Sequence, residues 1–213
     1  MNRPSRRPVR DLLWNARGLA VTEFALALPV FLIMLVGGVE IANYMTVRMR
    51  VSQLALHVAD NGARIGSGSQ LQAQQISEAQ INDMLVGTNM QARGLDFLNR
   101  AKIVVSSLEH DPANPGRFRI AWQRCFGDEA HTPLYGRQFD NNLPGMGPAG
   151  NRITAMPDGA TIFVEINYRY KPLLTSQQVT FGEFTDIAAM SVRDRRDLSQ
   201  IYNVERVTPS ACT

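Results

Sequence analysis

"ARGLAVTEFALALPVFLIMLVGG", residues 16–38, is the stretch whose reading decides the fold. Sixteen uncharged residues, nearly all apolar, run from Phe24 to Val39. With Leu19–Val21 before them and Ile41–Val47 after, the stretch covers a bilayer, because ~20 helical residues span ~30 Å. Glu23 stands against this. An acidic residue at the centre of a spanning helix costs roughly 2.5–3.5 kcal/mol on insertion scales. Either a partner offsets that charge, or Glu23 sits close enough to the interface to stay wet.

Charge sets the expected direction of insertion. The 213-residue chain carries 22 basic and 19 acidic residues, a net charge of +3. Arg3, Arg6, Arg7, Arg10 and Arg17 lie before the apolar run against the single Asp11. The remainder is therefore slightly acidic, and no interleaved basic and aromatic surface points to nucleic acid. Only Arg48 and Arg50 follow the run closely, so the positive-inside rule keeps the N-terminus cytoplasmic and exports the rest. In an oxidising compartment Cys125 and Cys212, even in number and far apart, fit one disulfide. Two unpaired thiols are the alternative.

The helix is expected to outlast the membrane. Val47, Val51, Leu54, Val58 and Ile65 recur at mostly three- and four-residue steps, with Asn43, Arg48, Arg50, Gln53 and Asp60 between them. An apolar helix thus flows into an amphipathic one. Pro29 cannot donate to the carbonyl of Ala25 and is expected to bend it. Gly62, then Gly66-Ser67-Gly68-Ser69, is the expected end. A cleaved secretory signal would have a shorter apolar core; the small residues at Val36-Gly37-Gly38-Val39 are followed by renewed apolar character from Ile41 to Val47.

The order of basic tail, Gly18, four residues, Glu23, Phe24 and apolar run resembles prepilins and pilin-like proteins cut by a membrane prepilin peptidase. "RGLAVTEFALALPVFLIMLVGGVEIAN" is similar to the N-terminus of the TadE-like family of the tight-adherence, or Flp-type, pilus system, in which the glycine, the glutamate–phenylalanine pair and a leucine–proline pair recur in this layout. The resemblance implies a cut between Gly18 and Leu19, and an assembly role for Glu23 beside Phe24. It also implies the prepilin peptidase, other pilin-like subunits and an inner-membrane platform as partners. Gly18 lacks a side chain, so a protease can approach its backbone closely. A cut there removes all five arginines, and a neighbour's terminal amine could then offset the Glu23 carboxylate. The bland alternative is an uncleaved single-pass envelope anchor with a ligand- or partner-binding domain, its Glu23 merely interfacial.

Beyond the helix the expectation is an α+β domain with pilin-like architecture, an antiparallel sheet and a covering helix. The expected organisation is a leader at 1–18, a transmembrane and amphipathic helix at 19–66, and an exported domain at 67–213. Ser77-Glu78-Ala79-Gln80 has capping-box spacing. Ile81, Met84, Leu85 and Thr88 share a face in the helix that follows, with Gly87 as its stop. Strands are expected over 101–108, 117–125, 160–170 and 185–194. In the second, Phe118, Ile120 and Trp122 fall on one face. "HDPANPG", 110–116, reads as a turn. Residues 126–159, rich in Gly and Pro, are too long for an ordinary connection; they form either a mobile loop, the reading favoured here, or a contact loop. Asp194-Arg195-Arg196-Asp197 reads as a solvated charge run at a sheet end.

Catalytic signatures are not found. His57, His110 and His131 do not pair with Cys, Asp or Glu at metal-ligand spacing. Neither a G-x-S-x-G elbow nor a phosphate-binding glycine loop occurs. Asp128 and Glu129 sit in the long loop. The expectation is a non-enzymatic protein without metal, cofactor or small-molecule substrate: a minor pilin or pilin-like assembly protein of an Flp-type pilus.

Overall fold

The computed structural model describes residues 18–68, 72–173 and 182–212; the basic leader, 1–17, lies outside them. The elements are α1 (Leu19–Arg64), α2 (Glu78–Gln91), α3 (Phe97–Arg100), β1 (Ala101–His110), β2 (Phe118–Phe126), β3 (Ala160–Arg169) and β4 (Glu183–Ser191). The architecture is α+β. The chain divides into two units, one ending at Asn43 and the other, the head, beginning at Tyr44. α1 continues through Pro29, and its N-terminal part is long and apolar enough to cross a membrane.

In the head a four-stranded sheet has the order β2-β1-β3-β4, every pair antiparallel. Strand side chains alternate between its two faces. One face carries Ile103, Val105, Ile162, Val164, Ile166 and Tyr168, and packs on Val51, Leu54, Ala55, Val58 and Ala59 of α1 and on Ile81 and Leu85 of α2. The three- and four-residue steps of α1 thus bury a stripe against the sheet. Gly62 does not stop the helix, which runs on to Arg64. It is a contact point instead: a Cβ there would lie 3.0 Å from Ile162 Cγ2.

α2 begins as its capping box dictates. Gln80 N–H donates to Ser77 Oγ at 3.2 Å, and Ser77 N–H to Gln80 Oε1 at 3.0 Å. Gly87 does not end it; the helix continues to Gln91, with Leu85 and Thr88 buried on either side of that position. Thr88 Oγ1 donates back to the Met84 carbonyl at 2.8 Å. The short α3 has no counterpart in the sequence reading.

The second face of the sheet is also covered. Leu108, Phe118, Ile120 and Phe163 pack with Met146 and Ala155, flanked by Tyr135, Leu143 and Ile153. Part of the segment 126–159 is therefore in contact with the sheet, through Met146, Ala155, Tyr135, Leu143 and Ile153, while much of the rest of it is exposed. The expected face of β2 differs. Ser107 pairs with Trp122 but Leu108 pairs with Ile120, so Ala121 is an extra residue in a β-bulge. The bulge reverses the alternation. Phe118 and Ile120 join the second cluster while Trp122 joins the first.

Candidate functional site

The N-terminal end of α1 is built from local chemistry. Thr22 N–H donates to the Gly18 carbonyl at 3.2 Å, and Thr22 Oγ1 to the Leu19 carbonyl at 2.8 Å. Gly18 adjoins open space: a Cβ built on it meets nothing within 4 Å. Nothing in the described chain, then, requires glycine at this position. Glu23 follows about one helical turn after Leu19, roughly 6 Å along the axis. It is exposed, as is Phe24, so both side chains are presented outward.

The sulfurs of Cys125, on β2, and Cys212 form a disulfide that closes a separation of 87 residues, with Cα atoms 4.8 Å apart. The C-terminal strand-like segment reaches it by a hydrogen-bonded route. Glu78 N–H donates to the Tyr202 carbonyl at 2.8 Å, Asn82 Nδ2 to the Thr208 carbonyl at 2.9 Å, and Cys125 N–H to the Ser210 carbonyl at 2.7 Å. Ser210 Oγ donates to Asn82 Oδ1 at 2.7 Å. The disulfide is thus one of several anchors after Tyr202.

Buried charges fasten the layers to the sheet. Arg124 pairs bidentately with Glu78, its Nε 2.9 Å from Oε2 and its Nη2 on Oε1, and both side chains are at most a tenth exposed. Planar fork geometry suits a carboxylate. This bond ties β2 to the first turn of α2, where a carboxylate also meets the positive end of the helix. On the other face the Glu165 carboxylate bonds His131 Nε2 at 2.6 Å and accepts two bonds from Leu134 N–H at 3.2 Å. Gln123 Nε2 bridges Ser106 Oγ at 2.9 Å and the Gly136 carbonyl at 3.1 Å. Glu129 takes an ion pair from Arg169 at 2.7 Å. None of these long-range partners was visible from spacing. The one available signal was a charged residue inside each alternating strand, Arg124 in β2 and Glu165 in β3.

In the charge run at 194–197, Asp194 and Arg195 are exposed as expected of a solvated sheet end, but Arg196 turns inward. Arg196 Nη2 donates to the carbonyls of Gly62 at 3.1 Å and Ile65 at 2.7 Å, capping α1 with a cation where the helix carries its negative end. Burial pushes this guanidinium down to about 10. Asp197 is held below the usual carboxylate range by hydrogen bonds from Ser199 and Tyr202. A recess of about 580 Å³ lies beside this segment, lined by Trp122, Glu109, Arg119 and Leu198 among others. Its buried acids are already engaged: Glu109 meets Arg119 Nη2 at 3.3 Å and Ser107 Oγ at 3.1 Å, and burial raises its pKa, while Glu78 holds Arg124 and Asp111 accepts from Asn114. Among the described residues no group of three or more His, Cys, Asp or Glu side chains is placed to hold a metal ion.

The structure leaves Gly18, Leu19, Glu23 and Phe24 together at one helix end, and joins Cys125 to Cys212 elsewhere in the head. No curated protein and no solved structure matches the chain. Residues 18–64, which begin at Gly18 and end where α1 ends, match the family model described as TadE-like protein.

Proposed function

We propose that the protein is a pilin-like component of a tight-adherence pilus apparatus, made as a precursor and cut between Gly18 and Leu19 by a prepilin peptidase. The observation that carries the reading is the coincidence of the TadE-like match with α1, starting at a glycine whose side-chain space is empty. None of the described residues requires glycine at 18, and close backbone approach by a protease is a use for it. The leader removes its arginines on cutting and leaves a free amine on Leu19. Glu23 meets the corresponding amine of a neighbouring subunit, which offsets the carboxylate in lipid. In this reading the head lies on the outer side of the inner membrane, the side that the arginines before α1 favour, and the disulfide suits an oxidising compartment. The chain is a structural subunit, a minor pilin, and its work is mechanical.

Replacing Gly18 by Val tests this in the native host. The full-length band should persist with the peptidase present, while the wild-type chain shortens. An unchanged band size in both would remove the processing step from the account. For Glu23→Gln, normal membrane levels with lost surface piliation are expected. Full piliation would make Glu23 an interfacial bystander.

A further inference from the structure

The recess beside residues 196–201 holds groups that the fold does not use. Its floor belongs to the first face of the sheet. Trp122 packs in the first cluster, and Glu109, two residues on from the Ser107 that pairs with Trp122, shares that face with its partner Arg119. Ile76, Leu198 and Ile201 add apolar walls, and Arg196, which caps α1, also lines the cavity. A volume of about 580 Å³ with apolar walls and a few converging polar groups suits a small ligand. The acids are engaged, but the cations have donors left over. The Arg119 side chain is 40 % exposed, its Nη2 bond to Glu109 is long at 3.3 Å, and among the described residues its Nε has no partner. Arg196 commits Nη2 to the carbonyls of Gly62 and Ile65, and its Nη1 has no partner there either. Both guanidiniums act on the charge of Glu109, so two cations share one buried acid. Asp111 and Asp197 are held by hydrogen bonds elsewhere, from Asn114 and from Tyr202.

The rim supplies an independent sign. Phe139 lines the recess and is 74 % exposed, yet its backbone is left-handed, at φ +71. That conformation strains a bulky residue and suits glycine. Phe139 N–H donates to the Ile120 carbonyl at 2.9 Å, and Ile120 N–H to the Asp140 carbonyl at 2.9 Å, so the turn is pinned to β2. The head buries little of this ring and bears strain to hold it in place. Strain of this kind collects where a ligand is clamped. An aromatic ring at the rim, an indole in the wall and guanidinium donors at the floor together select a carboxylate on an apolar or aromatic body. The planar fork matches the carboxylate, and the rings take the body.

We propose that the recess binds such a carboxylate, its oxygens at the guanidinium of Arg119 with Arg196 adding charge, and its apolar body between Trp122 and Phe139. The site lies wholly in the head and needs neither leader cleavage nor a pilus, so its test is separate from that of the proposed function. In the full chain, solubilised in a nonionic detergent, Trp14→Phe leaves Trp122 as the sole tryptophan. Its fluorescence is titrated with N-acetyl-phenylalanine and with N-acetyl-phenylalanine amide. The acid should give a saturable change, and the amide should bind about tenfold more weakly or not at all. Arg119→Gln should erase that preference; if this variant does not fold, the acid–amide comparison and Phe139→Gly decide. Phe139→Gly, whose backbone suits φ +71, should hold or raise the urea midpoint while weakening the acid several-fold, which a merely structural ring would not do. A peptide ending in free phenylalanine distinguishes the source. Tighter binding than the single residue means a polypeptide C-terminus, and equal or weaker binding means a small apolar acid. No saturable change with the acid, equal binding of acid and amide, an acid preference that survives Arg119→Gln, or full binding by Phe139→Gly overturns the proposal.

Discussion

The Cys125–Cys212 bond makes a prediction in which two effects separate. Loop-closure entropy for a separation of 87 residues gives about 4.6 kcal/mol of destabilised unfolded chain at 25 °C. In the folded state the same segment keeps three nearby hydrogen bonds, Asn82 to Thr208, Ser210 to Asn82 and Cys125 N–H to Ser210. Neutral bonds of this kind contribute about 0.5–1.5 kcal/mol each. The double variant Cys125→Ala/Cys212→Ser should therefore lose roughly 3–5 kcal/mol in urea unfolding of the detergent-solubilised chain, while the C-terminal segment stays in register. Hydrogen exchange at the residue 125 amide reports the second part and should remain slow in native buffer. A loss under about 1 kcal/mol would refute the unfolded-state argument. Fast exchange at residue 125 with the rest of β2 protected would refute the claim that hydrogen bonds hold the segment.

Further expectations are narrower. At Gly62 a Cβ alone would already lie 3.0 Å from Ile162 Cγ2, closer than ordinary contact, so Gly62→Val should destabilise the head by about 1–3 kcal/mol in thermal or urea unfolding. Arg124→Met leaves Glu78 buried without its cation and should cost about 3–5 kcal/mol, whereas Arg124→Met with Glu78→Leu should recover most of that loss, as a double-mutant cycle would show. Asp111 accepts from Asn114 and from the Ala113 and Asn142 amides, which hold its pKa below the ordinary 3.8. The unfolded state therefore binds its proton more readily, and this contribution is full above 3.8 and lost as pH falls through the depressed value. Asp111→Asn should accordingly shrink the stability difference between pH 6 and pH 3.

What was legible in the sequence is what depends on near neighbours. The α1 stripe, the Ser77–Gln80 box and the alternation of β3 are periodic or local, and each stands in the structure. The misreadings share one cause, which is tertiary context. Gly62 and Gly87 look alike as helix breakers, but one is pressed against Ile162 and the other faces open space within a helix that packing sustains. The Gly- and Pro-rich segment 127–159 looked loose because composition does not reveal that some glycines are there for contact. At Gly127, with φ +101, a Cβ would fall 2.2 Å from the Ala101 carbonyl oxygen. The bulge at Ala121 has no short-range signal, so the face of Trp122 could not be read. Arg196 sits in a charged run, and only the fold shows it reaching back to Gly62.

The central claim is that α1 begins, in the working protein, at Leu19. N-terminal sequencing of the protein purified from its native membrane, with the peptidase present, tests this most directly. The account predicts Leu19 as the first residue. Met1 would make the chain an uncleaved anchor, a start beyond about residue 38 would make it a secreted protein, and either would contradict the account.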